Sequence, residues 1–549
     1  MTSAQFKLQH AMKTSPLFSA AFILASSMAG AATAPTYALS GIVQGVPAST
    51  SPSNPELTRL ADAAAATRLL YSTDSPNLRA TLKARNDAGM TTPPVIVYMG
   101  GFTTNGDDVP RLERHHRDGI AMTPVANLAT AIDESATEFL VDNLLGRELA
   151  IKASTASVSD AKDPTRFCFW IRLDDEFVKV TAVDASSRRI TVERGFAGTK
   201  AMPHQKGVPV LTPVYLGNRK QLDHARHTNS WPDGPDYLRY AVNPGQLSAA
   251  QFKADLVIRM MKAGYDGAWF DTFQPRPYNL CDALGRPVAY FWDFGTKRVY
   301  SIESYLAAIG TYVRNIRRIV LASTGRQPVL YANSASGTYA IGVKTLFNNA
   351  TQHDLLDGYC FEDSYIRVEA KRAKSNGIAV KAAFVPITGE KWETNLINHA
   401  DAASSGLSGI CMAGPAGYLA AFLNAAQPDY EQLLRFSYGS YLLTVTAARS
   451  TSFGLPLLET DRGAIAWPAM LFAPIGDPIQ PNNITALKLA DSPCYSREFE
   501  HGLVIVNPSS ATAPAVRVPQ GYVDAITRQP VESVTLASAD AALLLRQAR

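Results

Sequence analysis

Cysteine is scarce in this chain of 549 residues and builds no framework. The five cysteines, Cys168, Cys281, Cys360, Cys411 and Cys494, are odd in number and widely scattered. They form no Cys-x-x-Cys pair for metal or redox chemistry and no pattern that reads as a set of disulfides. Cys360 and Cys411 lie in apolar runs, where a buried thiol acts as a small hydrophobe. Missing as well are a His-Glu-x-x-His helix, a phosphate-cradling Walker loop, a Gly-x-Ser-x-Gly elbow and an EF-hand loop, so no metal or other cofactor is expected. The pairs His115-His116 and His224-x-x-His227 sit in polar, loop-like surroundings and read as solvated surface. Charge is sparse too, with 18% charged residues and a net charge of +4. No basic stripe stands ready to neutralise phosphates, which argues against a nucleic-acid partner. Hydrophobic residues make up 46% of the chain, ordinary for a globular protein and far from the composition of extended disorder.

What is present begins with an export signal. Lys7 and Lys13 precede an apolar run at 17–25 and then the small residues Ala29-Gly30-Ala31, the layout of a secretory signal peptide over residues 1–31. The run is too short to span a bilayer stably, so the expected location is secreted or periplasmic, with no membrane attachment after signal removal. Residues 32–56, rich in Ser, Pro, Ala and Thr, read as a linker. The remaining length asks for more than one domain.

From there strands and helices alternate. Apolar strands are expected near residues 70, 97, 240, 269, 331, 360, 383 and 411, with helices such as 77–88 and 303–321 between them and Ser248 capping another. Eight such units are the count of a (β/α)8 TIM barrel, an α/β fold. A doubly wound open sheet is the alternative, but the first unit lacks the Gly-rich dinucleotide turn. The rhythm breaks over residues 119–217, which are β-rich, and again from 463 to the end, where short strands separated by turns suggest a β-sandwich. The expected organisation is therefore a barrel over 57–118 and 218–462, an inserted small β-domain at 119–217 and a C-terminal β-sandwich at 463–549.

One motif occurs twice. Asp266-Gly267-Ala268-Trp269-Phe270-Asp271 and Asp357-Gly358-Tyr359-Cys360-Phe361-Glu362 each run from Asp-Gly through a short apolar strand to an acid. Alternation along a strand places Gly267, Trp269 and Asp271 on one face, and Gly358, Cys360 and Glu362 on the equivalent one. Asp271 and Glu362 should then point alike at the C-terminal rim, where barrels keep their active sites. That register favours Glu362 over Asp363 as the second acid. Asp266 and Asp357, at the opposite strand ends, read as turn chemistry.

Two resemblances follow from motifs. The run Arg497-x-Phe499-x-x-Gly502-x-Val504-x-x-Asn507-Pro508 resembles the C-terminal β-domain of glycoside-hydrolase-like barrel proteins, and Gly264-Tyr265-Asp266-Gly267 with Asp271 is similar to such barrels, including relatives of endo-α-polygalactosaminidases. Together they cover most of residues 60–545 and imply a glycosidase fold without fixing a substrate. Separately, Glu193-Arg194-Gly195-Phe196-Ala197-Gly198-Thr199, followed by His204 and Gly207, resembles a small β-module of phage tail and surface proteins.

Glycosidic cleavage uses two carboxyls, one to protonate the leaving oxygen and one to attack the anomeric carbon or activate water. Asp271 and Glu362 are the expected catalytic pair. Asp271 as nucleophile or base with Glu362 as acid follows barrels whose fourth-strand Asp attacks; the reverse assignment fits the pattern as well. Tyr98, Asn243 and Asn333, at strand ends, together with Asp363, are expected to meet the substrate. So are Trp392, as a stacking platform in a polar loop, and Glu390, as a reserve acid. The reading is an exported enzyme hydrolysing O-glycosidic bonds of a polysaccharide or oligosaccharide. Its alternatives are a non-catalytic glycan-binding or surface-assembly protein and a lyase acting on an acidic polysaccharide. Nothing in the pattern sets an oligomeric state.

Overall fold

The computed structural model describes residues 35–37, 39–42, 67–72, 74–104, 108–143, 170–184, 186–217, 239–273, 277, 280–282, 286–335, 355–362, 364–372, 380–406, 408–412, 430–456 and 468–547. Residues 1–31, expected to be an export signal, and Asp363 lie outside them.

The centre is a closed α/β barrel. Its staves are β1 (Leu39–Ile42), β2 (Thr67–Ser72), β3 (Val95–Gly100), β4 (Gly267–Asp271), β5 (Val329–Ala335), β6 (Gly358–Glu362), β7 (Gly409–Met412) and β8 (Thr451–Pro456). Each pairs in parallel with its neighbours in that order, and β8 returns to β1. Helices α1 (Pro76–Asp87), α2 (Leu247–Lys262), α3 (Ile302–Thr324), α4 (Gly389–Ser404) and α5 (Tyr430–Thr444) lie between staves.

Two of the expected strands do not belong to this ring, and two staves fall elsewhere. Residues 239–242 make only isolated antiparallel bridges, Thr103 with Ala241, Ile120 with Val242 and Tyr215 with Tyr240. The Val380–Pro386 strand forms an antiparallel hairpin with Ile366–Arg372. The staves that take their places are β1, inside the stretch read as a linker, and β8. Periodicity alone misassigned them because an apolar run of five residues looks the same whether its partner is parallel or antiparallel.

Local chemistry explains the helix ends. Ser75 caps α1 by accepting from the Leu78 amide, with Pro76 in the first turn. In α3 the Ser301 side chain accepts from the Ser304 amide while Ser304 reaches back to the Ser301 amide, and Gly325 closes the helix in the left-handed region at φ 69°. The α2 helix begins at Leu247 after Gln246, so Ser248 sits inside its first turn and is not its cap.

Two antiparallel β assemblies flank the barrel. Strands between Met122 and Pro213 form a six-stranded sheet. Its centre is a buried polar knot: Glu176, wholly buried, accepts from Arg194 through both oxygens at 2.8 Å and from the Gly195 amide at 2.8 Å. His204 lies between Glu176, 3.0 Å away, and Asp174, 2.9 Å away. Burial alone would raise the Glu176 pKa, but Arg194, the Gly195 amide and His204 together bring it down to about 2. The Arg194-Gly195 and His204 motif is thereby accounted for as structure.

Towards the C-terminus a four-stranded sheet and a two-stranded one pack together. Val504, Val506, Ala541 and Leu543 join the main core, while Leu503, Ile505, Ala542 and Leu544 face a second cluster. Strand alternation thus gives one sheet two apolar faces. Arg497, 1% exposed, donates to the carbonyls of Leu442, Leu443 and Val445 at the end of α5, at 3.0, 2.9 and 2.8 Å. Those carbonyls end a helix and carry its negative pole, a natural seat for a guanidinium. Asn507 donates to Ala511 O and Ala537 O at 2.8 and 2.7 Å. The two polar positions of the C-terminal motif, Arg497 and Asn507, are therefore tethers.

Candidate active site

The direction of the Trp269 face follows from contacts that cross the ring. Tyr71 on β2 packs against Trp269 on β4 with ring centroids 4.0 Å apart, and its hydroxyl lies 3.4 Å from the Met412 sulfur on β7. Side chains from non-adjacent staves meet in this way only inside a barrel. Trp269 therefore fills the lumen, and Asp271, two residues further along the same face, emerges at its C-terminal mouth.

Asp271 and Glu362 meet there through Asn333. The Asn333 side-chain nitrogen donates to Asp271 Oδ1 at 3.0 Å and to Glu362 Oε2 at 2.7 Å. Tyr98 on β3 donates its hydroxyl to Asp271 Oδ2. Although Tyr98 is 43% exposed, its hydroxyl end is crowded by protein; loss of hydration first, and then the Asp271 charge and hydrogen bond, raise its pKa and keep it a donor. Asn333 is only 6% exposed, and its Oδ1 has no hydrogen-bond partner among the described residues.

The backbone beneath Asp271 is held tightly. Its carbonyl accepts from the Gly101 amide at 2.7 Å and from the Thr272 hydroxyl at 2.7 Å. Thr272 has φ 53°, a region that a β-branched residue rarely adopts and that costs about 1–3 kcal/mol. A Cβ on Gly101 would lie 2.8 Å from the Phe273 ring and 2.9 Å from Asp271 O, so glycine is required for this approach. Lys253, reaching over from α2 and 1% exposed, donates to Gly100 O at 2.5 Å and Thr103 O at 3.1 Å, anchoring the turn that follows Tyr98. Sequence reading passed over Lys253 and Thr272. For Lys253 a signal existed: it occupies the apolar stripe of α2 with Ala249, Leu256, Val257 and Met260, where a lysine must find buried acceptors.

The other expected contacts are not assembled here. Trp392 is no loop platform: it lies within α4, 0% exposed, donating from its indole to Ser440 Oγ at 2.9 Å and packing on Tyr495 at 4.9 Å. The polar residues around it form the exposed side of a helix, which masked an apolar inner face. Glu390 is exposed in the first turn of α4, where an acid favours the helix dipole. Asn243 is buried and occupied, donating to Trp292 O at 2.8 Å and accepting from Gly245 N at 3.0 Å and Tyr300 OH at 3.2 Å. Among the described residues no group of three or more His, Cys, Asp or Glu side chains is placed to hold a metal ion.

No family model and no curated protein sequence matches the chain. Solved structures overlap it over long stretches. A trehalose-6-phosphate hydrolase of Bacillus licheniformis is 9% identical, covering 93% of this chain and 99% of its own at TM-score 0.43. A GH31 dextranase of Flavobacterium johnsoniae is 10% identical, covering 93% of this chain and 52% of its own at TM-score 0.37. The glycoside hydrolase domain of PelA from Pseudomonas aeruginosa is 8% identical, covering 69% and 83% at TM-score 0.29. Likeness at these values carries neither a substrate nor a mechanism over to this chain.

Proposed function

We propose that this protein is an exported glycoside hydrolase that cleaves O-glycosidic bonds of a polysaccharide or oligosaccharide with the carboxyl groups of Asp271 and Glu362. In this reading the barrel is a (β/α)8 catalytic domain, the six-stranded sheet an inserted module and the C-terminal sheets an accessory sandwich. The observation that carries the proposal is the pair itself: two carboxylates from non-adjacent staves share one amide donor at the C-terminal mouth of a parallel barrel. Two acids held side by side are the working parts of glycoside hydrolysis. Strain at Thr272 accords with it, since rare backbone conformations concentrate where geometry serves chemistry. Export rests on the basic, apolar and small-residue order of the first 31 residues.

The test uses Asp271→Asn and Glu362→Gln, with release of reducing ends measured across a panel of polysaccharides. Each substitution is expected to lower the rate by at least about 100-fold on a glycan that the native protein cleaves. Equal rates in the native protein and both variants would remove Asp271 and Glu362 from the chemistry. Products carrying an unsaturated ring would replace hydrolysis by elimination. Binding without cleavage would leave a glycan-binding barrel.

A further inference from the structure

The two carboxylates are joined through one atom, and that bounds their separation. Asn333 Nδ2 lies 3.0 Å from Asp271 Oδ1 and 2.7 Å from Glu362 Oε2, so those oxygens stand no further apart than the two bonds laid end to end, about 5.7 Å. The fork between the two hydrogens of a planar amide makes the true distance shorter. Pairs that work by double displacement stand about 5–5.5 Å apart, whereas pairs that activate a water between the acid and the sugar need about 6.5–9.5 Å. The orientation of the amide is fixed by charge, because its oxygen turned toward two carboxylates would be repelled by both. That oxygen, buried and without a described partner, is left to accept a hydroxyl of the bound sugar.

We propose that Asn333 is a positioning residue that clamps Asp271 and Glu362 at the spacing of a double displacement, so that hydrolysis passes through a glycosyl ester of Asp271 and retains anomeric configuration. This rests on the reading of the pair as glycosidase acids and goes beyond it. Asp271 is the nucleophile because both of its oxygens accept hydrogen bonds, Oδ1 from Asn333 and Oδ2 from Tyr98, and its carbonyl is anchored by Gly101 and Thr272. In the first step an Asp271 oxygen bonds to the anomeric carbon. The bond to the leaving oxygen breaks with its electron pair, and that oxygen takes the proton of Glu362. In the second step water bonds to the anomeric carbon and gives a proton to Glu362, and the ester bond breaks to return the Asp271 carboxylate. One glycosidic bond and one water are consumed, and two hydroxyls result.

The experiment incubates the full chain with a panel of 2-deoxy-2-fluoroglycosyl fluorides of gluco, galacto and manno configuration and 5-fluoroglycosyl fluorides of amino sugars, then maps adducts by peptide mass spectrometry. One fluoroglycosyl group on the peptide containing Asp271 is expected, and none in Asp271→Asn. Proton NMR of the first product released from a cleaved glycan should show the anomer of the substrate. Asn333→Ala should form product about 100-fold more slowly, the scale of a misplaced reacting group. The fluoroglycosyl adduct on Asp271 should form more slowly by a similar factor in this variant, yet still reach one group per chain. A merely structural loss would lower the amount of adduct and leave its rate of formation native; near-ultraviolet circular dichroism reports whether the variant is folded. Cleavage with inverted product would overturn the double displacement while leaving the glycosidase reading intact. Product and adduct formed at the native rate in Asn333→Ala would remove Asn333 as a positioning residue. No cleavage and no adduct in the native protein would overturn both readings together.

Discussion

Lys253 should make stability rise with pH where the alkaline response of a protein usually falls. Its ammonium is buried against the carbonyls of Gly100 and Thr103, and loss of hydration pushes its pKa down from 10.5 to about 8, with the more distant Asp108 pulling the other way. In the unfolded chain the same group holds its proton up to about 10.5. Between these values the unfolded state binds more protons than the native one, so unfolding becomes harder as pH increases through the window. The gap between these values corresponds to about 3 kcal/mol, absent below pH 8 and fully gained above 10.5. Opposing it are the buried thiols Cys360 and Cys411 and buried tyrosines such as Tyr312, whose raised pKa values favour unfolding in alkali. The contribution of Lys253 is therefore read as a difference. Urea unfolding of the native chain and of Lys253→Met, followed by tryptophan fluorescence from pH 7 to 10, should diverge by about 2–3 kcal/mol in favour of the native chain as pH rises. The two carbonyls left without this donor in the variant cost about 1–3 kcal/mol each, but that offset does not vary with pH. A stability difference that stays level from pH 7 to 10 would refute the buried ammonium and the anchoring role assigned to it.

Two further outcomes test the interior. His399, wholly buried in α4 with its ring centroid 4.7 Å from that of Phe361, has its pKa pushed down to about 3 by lost hydration. The unfolded chain binds that proton from about pH 6.5 downward, so the stability tied to neutral His399 is present above pH 6.5 and lost toward pH 3, at most about 4–5 kcal/mol. Acid unfolding of His399→Phe should begin at lower pH than that of the native chain; coincident midpoints would count against it. Trp392→Ala should cost about 3–5 kcal/mol in urea unfolding and leave KM for a cleaved glycan unchanged in the folded fraction. A raised KM at native stability would restore Trp392 to the substrate surface.

The parallel α/β character and the two acid-ending strands were legible in the chain because they depend on short-range rules. A buried parallel strand is continuously apolar, and alternation fixes which of its residues share a face. Asp271, Glu362, Tyr98 and Asn333 meet because that alternation holds through four neighbouring staves. What was illegible depended on partners far away in sequence. The β1 strand is closed on one side by β2 and on the other by β8, whose residues lie more than 400 positions later. Nothing in Leu39–Ile42 itself distinguishes such a stave from an apolar piece of linker. Val380–Pro386 has the composition of a stave but finds its pair in Ile366–Arg372, a few residues away. Trp392 and Asn243 misled for another reason: polar neighbours describe the exposed side of an element and say nothing of where a single side chain in it points.

The repeated Asp-Gly motif gains a physical meaning from the floor of the barrel. Asp266 Oδ2 accepts from the Val95 amide at 2.9 Å and from Arg85 of α1 at 3.1 Å; Asp357 Oδ2 accepts from the Leu330 amide at 2.7 Å and from Arg317 of α3 at 2.6 Å. In both cases the acid ties its own strand to the start of the preceding stave and to the helix leading into that stave. The glycines are not there for turn geometry, since neither has a positive φ. A Cβ on Gly267 would lie 1.9 Å from Val329 O, and one on Gly358 would lie 2.5 Å from Ser408 O, so each is demanded by the closeness of a neighbouring backbone. Each rim acid then stands five residues above its anchored Asp, about 16 Å along an extended strand. Phe270 pairs with Ala332, and Asn333 with Cys360, so Glu362 stands two residues further along the register than Asp271; the tilt of barrel staves takes up such a stagger, and both acids come within reach of one Asn333 amide on the stave between them. The motif is therefore a ruler as much as a signature: its first residue fixes the register, and its last receives the benefit.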